Sequence, residues 1–320
     1  MTEKPSVNQI AICTDNLEKT SAFYADLFDL PRVGGTLFKG TVTESVTGLP
    51  GAQRSAGWLM DDRDFFQFEM FQYHTPSPGV FGEQRQPWDI GYSRIALEVA
   101  DLVAFRQRCM QRSVKGLSAI KSVAGKSYFV LRGPNNVLIE VGQAVTAIRE
   151  GFGARFAGVA LNVPDLDVAI NSFHKAIGCP FITDTPADKG TLWDETSSPK
   201  RSVLLDGGTV WLELNEYAEK KSAAWPDGYR ICDFGQQNVA FGSRESAGIK
   251  ALYQRMINGG FRPNTPLVSS LGQVQLTYLN DPKGFNVEIL MVRPWLDGVM
   301  GFRHANWFDR VLTKIMMALA

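Results

Sequence analysis

The feature that most constrains this chain is a degenerate four-fold repeat. Each unit opens on a short alternating strand that runs into an acidic or amide residue and then a helical stretch. These openings are Gln9 to Asn16, Arg94 to Asp101, Gly158 to Asp165 and Asn238 to Glu245. Asn16, Asp101, Asp165 and Glu245 suit a helix start, where side-chain oxygens accept otherwise unpaired backbone N–H groups. Each unit closes on an apolar strand with one glutamate inside it: Glu69, Glu140, Glu213 and Glu288. Glu69 and Arg94 are 25 residues apart, as are Glu213 and Asn238. This spacing reads as two copies of a two-unit domain. The first spans 1–145 (units 7–75 and 90–142) and the second 155–292 (units 156–218 and 234–292), with a break near Gly142 to Phe156. Unit one carries an insertion around Thr47 to Gly51. In the tail, 293–320, Trp307, Val311, Leu312, Ile315, Met316 and Leu319 recur at helical spacing over about 305–320. They predict an amphipathic helix that docks on the core or on another copy of the chain.

Strand side chains alternate between faces, so each glutamate has a definite side. Phe66, Phe68 and Met70 share one face, and Glu69 lies on the other with Gln67 and Phe71. Val210, Leu212 and Leu214 lie opposite Glu213, which shares its side with Trp211. Glu140 and Glu288 follow the same rule, as do Gln9, Arg94 and Asn238 in the opening strands. A curved sheet with one helix-covered apolar face and one polar, hollow face is a natural cup for a small molecule. The glutamates are expected inside such cups, with Trp58, Phe71 and Trp211 as candidate apolar lining.

Composition narrows the partners. Lys plus Arg is 33 and Asp plus Glu is 33, leaving no cationic surplus for nucleic acid or anionic lipid. No apolar run approaches the ~18 residues of a membrane span, and the N-terminus lacks an export signal's apolar region, so the expected location is cytoplasmic. The expected partner is a small-molecule ligand, with a homo-oligomer through the tail as a further expectation. Cys13, Cys109, Cys179 and Cys232 form no CxxC pair and read as reduced, buried thiols. Only His74, His174 and His304 occur, in no metal-ligand spacing, which disfavours imidazole-based metal chemistry. Lys189-Gly-Thr and Gly207-Gly208 read as turns without a phosphate-loop context.

The opening phrases Gln9 to Tyr24 and Gly158 to Phe173, and the closing phrase Tyr278-Leu-Asn-Asp-Pro-Lys-Gly-Phe-Asn-Val-Glu288, resemble the vicinal oxygen chelate superfamily. That group includes glyoxalase I, bleomycin-resistance proteins and extradiol dioxygenases. The resemblance covers about residues 7–292 and implies an α+β fold: four βαβββ units paired into two cup-shaped half-barrels. It implies metal-ligand positions at the first and last strand of each unit. Carried over, the N-terminal cup would hold Gln9, Glu69, Arg94 and Glu140, and the C-terminal cup Gly158, Glu213, Asn238 and Glu288. Gly158 and Asn238 stand where an extradiol dioxygenase would have histidines, which argues against iron-dependent ring cleavage. Gln9, Glu69 and Glu140 fit three of the glyoxalase I positions, and Arg94 takes the fourth.

A guanidinium does not coordinate a metal. Arg94 therefore either replaces the metal's charge, binding a substrate carboxylate or an oxyanion beside a glutamate base, or forms a salt bridge to Glu69 and Glu140 that closes the cup. The first alternative gives a lyase- or isomerase-type enzyme without cofactor, with Glu69, Glu140 and Arg94 catalytic. Gln9, Trp58, Phe71, Trp211, Glu213, Asn238 and Glu288 would then bind a small oxygenated or aromatic molecule. The other readings are a non-catalytic sequestering protein, and a hard-metal enzyme holding Mn or Mg at Glu213, Asn238 and Glu288.

Overall fold

The computed structural model describes residues 5–79, 86–123, 125–183, 199–218, 223–270 and 272–319. The Lys189-Gly-Thr turn lies outside these, and no side chain beyond Thr313 is described.

The first unit contains β1 (Ser6–Cys13), α1 (Leu17–Phe28), β2 (Arg32–Phe38), α2 (Thr41–Thr47), β3 (Gln53–Leu59) and β4 (Gln67–Thr75). The second contains β5 (Gly91–Val99), α3 (Leu102–Gln111), β6 (Lys121–Val123), β7 (Lys126–Arg132) and β8 (Leu138–Gln143). The third has β9 (Ala154–Asn162), α4 (Leu166–Ile170, continued by a π-helical turn Asn171–Ile177), β10 (Phe181–Thr183), β11 (Arg201–Asp206) and β12 (Trp211–Glu216). The fourth has β13 (Gly235–Ser243), α5 (Ser246–Asn258), β14 (Arg262–Pro263), β15 (Val268–Ser270), β16 (Val274–Asn280) and β17 (Asn286–Val292). The tail ends in α6 (Trp307–Leu319).

The helix starts follow local chemistry. Asn16, Asp101 and Asp165 accept the backbone N–H of Lys19, Ala104 and Val168 at 3.0, 2.9 and 3.0 Å. Glu245 precedes α5 without a side-chain cap, its side chain one methylene longer; its own N–H is instead accepted by Ser243 Oγ at 3.0 Å. At α6, the Asn306 side chain accepts the Asp309 N–H at 3.0 Å, and Asp309 accepts the Asn306 N–H at 2.8 Å.

Sheet topology corrects the expected pairing of units. One sheet runs β14-β16-β17-β13-β1-β4-β3-β2, with β15 on β16. The other runs β10-β11-β12-β9-β5-β8-β7-β6. The first unit therefore shares a sheet with the fourth, and the second with the third. The joints are the antiparallel pairs β1·β13 and β5·β9. The two cups are not successive halves of the chain.

Within each unit the opening and closing strands pair in parallel, and a small residue faces each glutamate. The pairs are Ala11–Glu69, Ala96–Glu140, Ala160–Glu213 and Ala240–Glu288. An alanine there leaves room for the neighbouring carboxylate. The apolar faces of both sheets meet the helices in one continuous core, where Phe68 of β4 stacks on Phe156 of β9 with ring centroids 4.9 Å apart. The polar faces are left for the two cups. Among the described residues, no helix is long and apolar enough to cross a membrane.

Candidate functional site

The cup built from units two and three is closed by ion pairs. Arg94 Nε lies 2.6 Å from Glu140 Oε2, and Arg94 Nη2 lies 2.8 Å from Glu213 Oε1. All three side chains are buried. Asn215 Nδ2 donates to Glu213 Oε1 at 2.9 Å. Gly158 leaves no open space in this cup. Trp211 lies over it so closely that a Cβ at position 158 would fall 2.0 Å from the indole. Arg94 thus bridges Glu140 and Glu213, not Glu69. The grouping of Glu69 with Arg94 and Glu140 as one catalytic set is corrected, because Glu69 belongs to the other sheet.

The cup built from units one and four has a different interior. A cavity of about 90 Å³ is lined by Gln9, Arg54, Trp58, Gln67, Glu69, Phe71, Tyr278 and Glu288. Its apolar side comes from Phe38, from Val42 and Val46 of α2, and from Leu276, Leu290 and Met300. The insertion around Thr47 to Gly51 follows directly on α2, which forms a wall of this cavity. Glu69 is fixed by two N–H donors: Gln9 Nε2 to Oε2 at 2.5 Å and Trp58 Nε1 to Oε1 at 2.8 Å. Glu288 bonds the Tyr278 hydroxyl, while its Oε2 has no hydrogen-bond partner among the described residues. Gln9 Oε1, Gln67 Oε1 and Arg54 Nε are also buried without one.

Arg54 was not singled out by sequence reasoning, yet it is the cation of this cup. Nη1 and Nη2 donate to the hydroxyls of Tyr73 and Tyr278 at 3.0 and 3.1 Å. The guanidinium carbon stands 3.8 Å from the Phe71 ring centroid. The signal was strand parity: Arg54, Ala56 and Trp58 share a face of β3. The opening strand of unit four contributes less. Asn238 Nδ2 donates to Asn286 Oδ1 at 3.3 Å, and Asn238 is not among the residues lining the cavity.

Burial sets the protonation of the carboxylate pair. It pushes Glu69 up to about 7, against the opposing effects of Arg54 and the Trp58 hydrogen bond. Glu288 rises to about 8, through burial first and then repulsion by Glu69, with Arg54 and Tyr278 opposing. Between the two values, near pH ~7.5, the pair holds about one proton, carried more by Glu288 than by Glu69. With Arg54 the cavity is then close to electroneutral.

The hard-metal set Glu213, Asn238 and Glu288 does not assemble, because Glu213 lies in the other cup beside Arg94. Among the described residues, no group of three His, Cys, Asp or Glu is arranged to hold a metal ion. Nor do the donors at the superfamily's metal position suit a divalent cation. Both Glu69 oxygens already accept N–H groups, and the Arg54 guanidinium lines the same cavity. The histidines lie elsewhere: His74 bonds Ser55 Oγ at 2.8 Å, His174 bonds the Cys179 carbonyl at 2.7 Å, and His304 is exposed. The four cysteines are buried, and none is in a disulfide.

Residues 6–141 match the Glyoxalase/Bleomycin resistance protein/Dioxygenase superfamily. Glyoxalase I from Zea mays is similar in structure at 14% identity, covering 90% of this chain and 92% of that one, with a TM-score of 0.61. A candidate dioxygenase from Bacillus subtilis subsp. subtilis str. 168 is similar at 11% identity, covering 98% and 96%, with a TM-score of 0.66. At these identities the likeness is one of fold. No curated protein matches the sequence. Residues 6–141, the first two units, are similar in sequence to that superfamily, and the chain as a whole shares the fold of the two solved structures.

Proposed function

We propose that the Glu69–Glu288 cavity is the working site and that it moves a proton on a small oxygenated compound without a metal, in an isomerase- or lyase-type reaction. One observation carries this reading. Two buried carboxylates line one cavity, and the oxygen of Glu288 that lacks a partner is free to reach a ligand. Glu288, as the acid, hydrogen-bonds a substrate carbonyl through Oε2. Glu69, as the anion, takes a proton from the adjacent carbon. The C–H pair moves into the new C=C bond, the carbonyl oxygen receives the Glu288 proton, and the two glutamates exchange protonation states. In an α-hydroxycarbonyl compound, Glu69 then returns its proton to the former carbonyl carbon while the adjacent hydroxyl gives its proton to Glu288 and becomes the new carbonyl, which completes an isomerisation and restores both glutamates. Arg54, acting partly through Tyr278, limits the rise of both carboxyl groups. The electroneutral interior favours an uncharged reacting group.

The Glu140–Arg94–Glu213 bridge is assigned a structural role, because the ions already satisfy one another. The expected test uses dihydroxyacetone in deuterium oxide, with carbon-bound proton exchange read by NMR. The protein accelerates exchange and Glu288→Gln abolishes the acceleration. Exchange that persists in Glu288→Gln and in Glu69→Gln refutes the reading.

A further inference from the structure

A second hollow lies against the first. A groove of about 430 Å³ runs between β2 and the tail, its lining including Arg32, Gly34, Trp58, Gly298, His304 and Arg310. Trp58 lines both spaces. The tail also borders both: Gly298 and Val299 face the groove, and Met300 faces the cavity. The Met300 carbonyl is pinned by Gln67 Nε2 at 2.9 Å.

The partition is built around glycine. Gly301, at φ +77°, is so close to the indole that a Cβ there would fall 2.6 Å from Trp58 Cδ2. Gly34, at φ +137°, also lies against the ring, and a Cβ there would sit 3.6 Å from Trp58 Cε3. On its inner side the indole N–H is held by Glu69.

The groove's charge differs from the cavity's. Its lining includes Arg32, Arg310 and exposed His304, and no acidic residue. Of the nearby acids, Glu18 pairs with Arg32 at 2.8 Å and offsets its charge, and buried Asp309 is held by Arg303 at 2.6 Å, so Arg310 carries the groove's positive charge. A cationic, open groove favours an anion, while the enclosed space behind Trp58 is close to electroneutral.

We propose that groove and cavity are two compartments of one site: the groove binds the anionic group of a substrate, a carboxylate or phosphate, and the uncharged reacting end passes Trp58 to reach Glu69 and Glu288. This rests on the functional reading above and adds to it the class of substrate and the role of the tail. Trp58 is then a positioning residue that both holds Glu69 and forms the wall the substrate must pass.

The test is 19F NMR of protein labelled with 5-fluorotryptophan, with the Trp58 signal assigned by its loss in Trp58→Phe. Inorganic phosphate should shift that signal saturably, and uncharged glycerol should not. Arg310→Glu, at an exposed position, should weaken phosphate binding by about ten-fold or more through like-charge repulsion. His304→Glu should act in the same direction. Glu69→Gln and Glu288→Gln should leave phosphate binding in place while abolishing proton exchange, so the failure of one claim is separable from the failure of the other. A Trp58 signal unmoved by phosphate, or phosphate binding unchanged in both charge reversals, overturns the two-compartment site.

Discussion

At the scale of single residues, the two cups show what one register can do with different neighbours. Four glutamates occupy equivalent strand positions, but Glu140 and Glu213 share a guanidinium, whereas Glu69 and Glu288 border a cavity. This difference has a pH signature. Glu288 sits at about 8 in the folded chain against an ordinary 4.5, so its favourable contribution is complete below about 4.5 and is lost as pH rises to about 8. Thermal melts should show stability falling across that window. Glu288→Gln should flatten the fall and exceed the parent in stability at pH 8, by on the order of a few °C. Trp58→Phe removes an N–H donor from the Glu69 anion, so carboxyl NMR should find Glu69 above its value of about 7. Gly301→Ala forces a methyl group onto the indole at a left-handed backbone position and should cost ~1–3 kcal/mol in urea unfolding. The glutamates were legible in the sequence because strand alternation is local. Arg54 escaped notice because it lies outside the repeated motifs, although it shares a β3 face with Trp58.

At the scale of elements, each cup is held by its opening and closing strands, and one is tied shut. Arg94→Met leaves Glu140 and Glu213 buried without their counter-charge and should cost ~3–5 kcal/mol in urea unfolding. Proton exchange per folded molecule should be unchanged, because Arg94 belongs to the other cup. The strand–helix–strand order of each unit was readable, as were three of the four helix caps, since these depend on neighbours a few residues apart. Which units pair was not. β1 offers its free edge with the same alternating pattern that β5 and β13 present, and only the packing of the whole chain selects β13. Assigning residues to the wrong pairs of units is what placed Arg94 beside Glu69.

At the scale of the whole molecule, the chain doubles back so that its ends build one cup and its middle builds the other. The tail belongs to the outer cup: Val299 and Phe302 pack with Val274, Leu290 and Val292 of the fourth unit, and the tilted rings of Phe65 and Phe302 lie 4.8 Å apart. A fragment of residues 1–145 keeps β4 and β8 but lacks β13 and β9, the antiparallel partners of β1 and β5. It should not form a folded monomer by NMR and sedimentation, and a well-dispersed monomeric spectrum would contradict the paired-unit architecture. Near pH ~7.5 the outer cup is expected to hold about one proton between its two buried carboxylates. Carboxyl-13C NMR of glutamate-labelled protein, assigned with Glu69→Gln and Glu288→Gln, tests it most directly. The prediction is two carboxyl groups titrating near 7 and 8. Titration of both below about 5, in the ordinary carboxylate range, would contradict it.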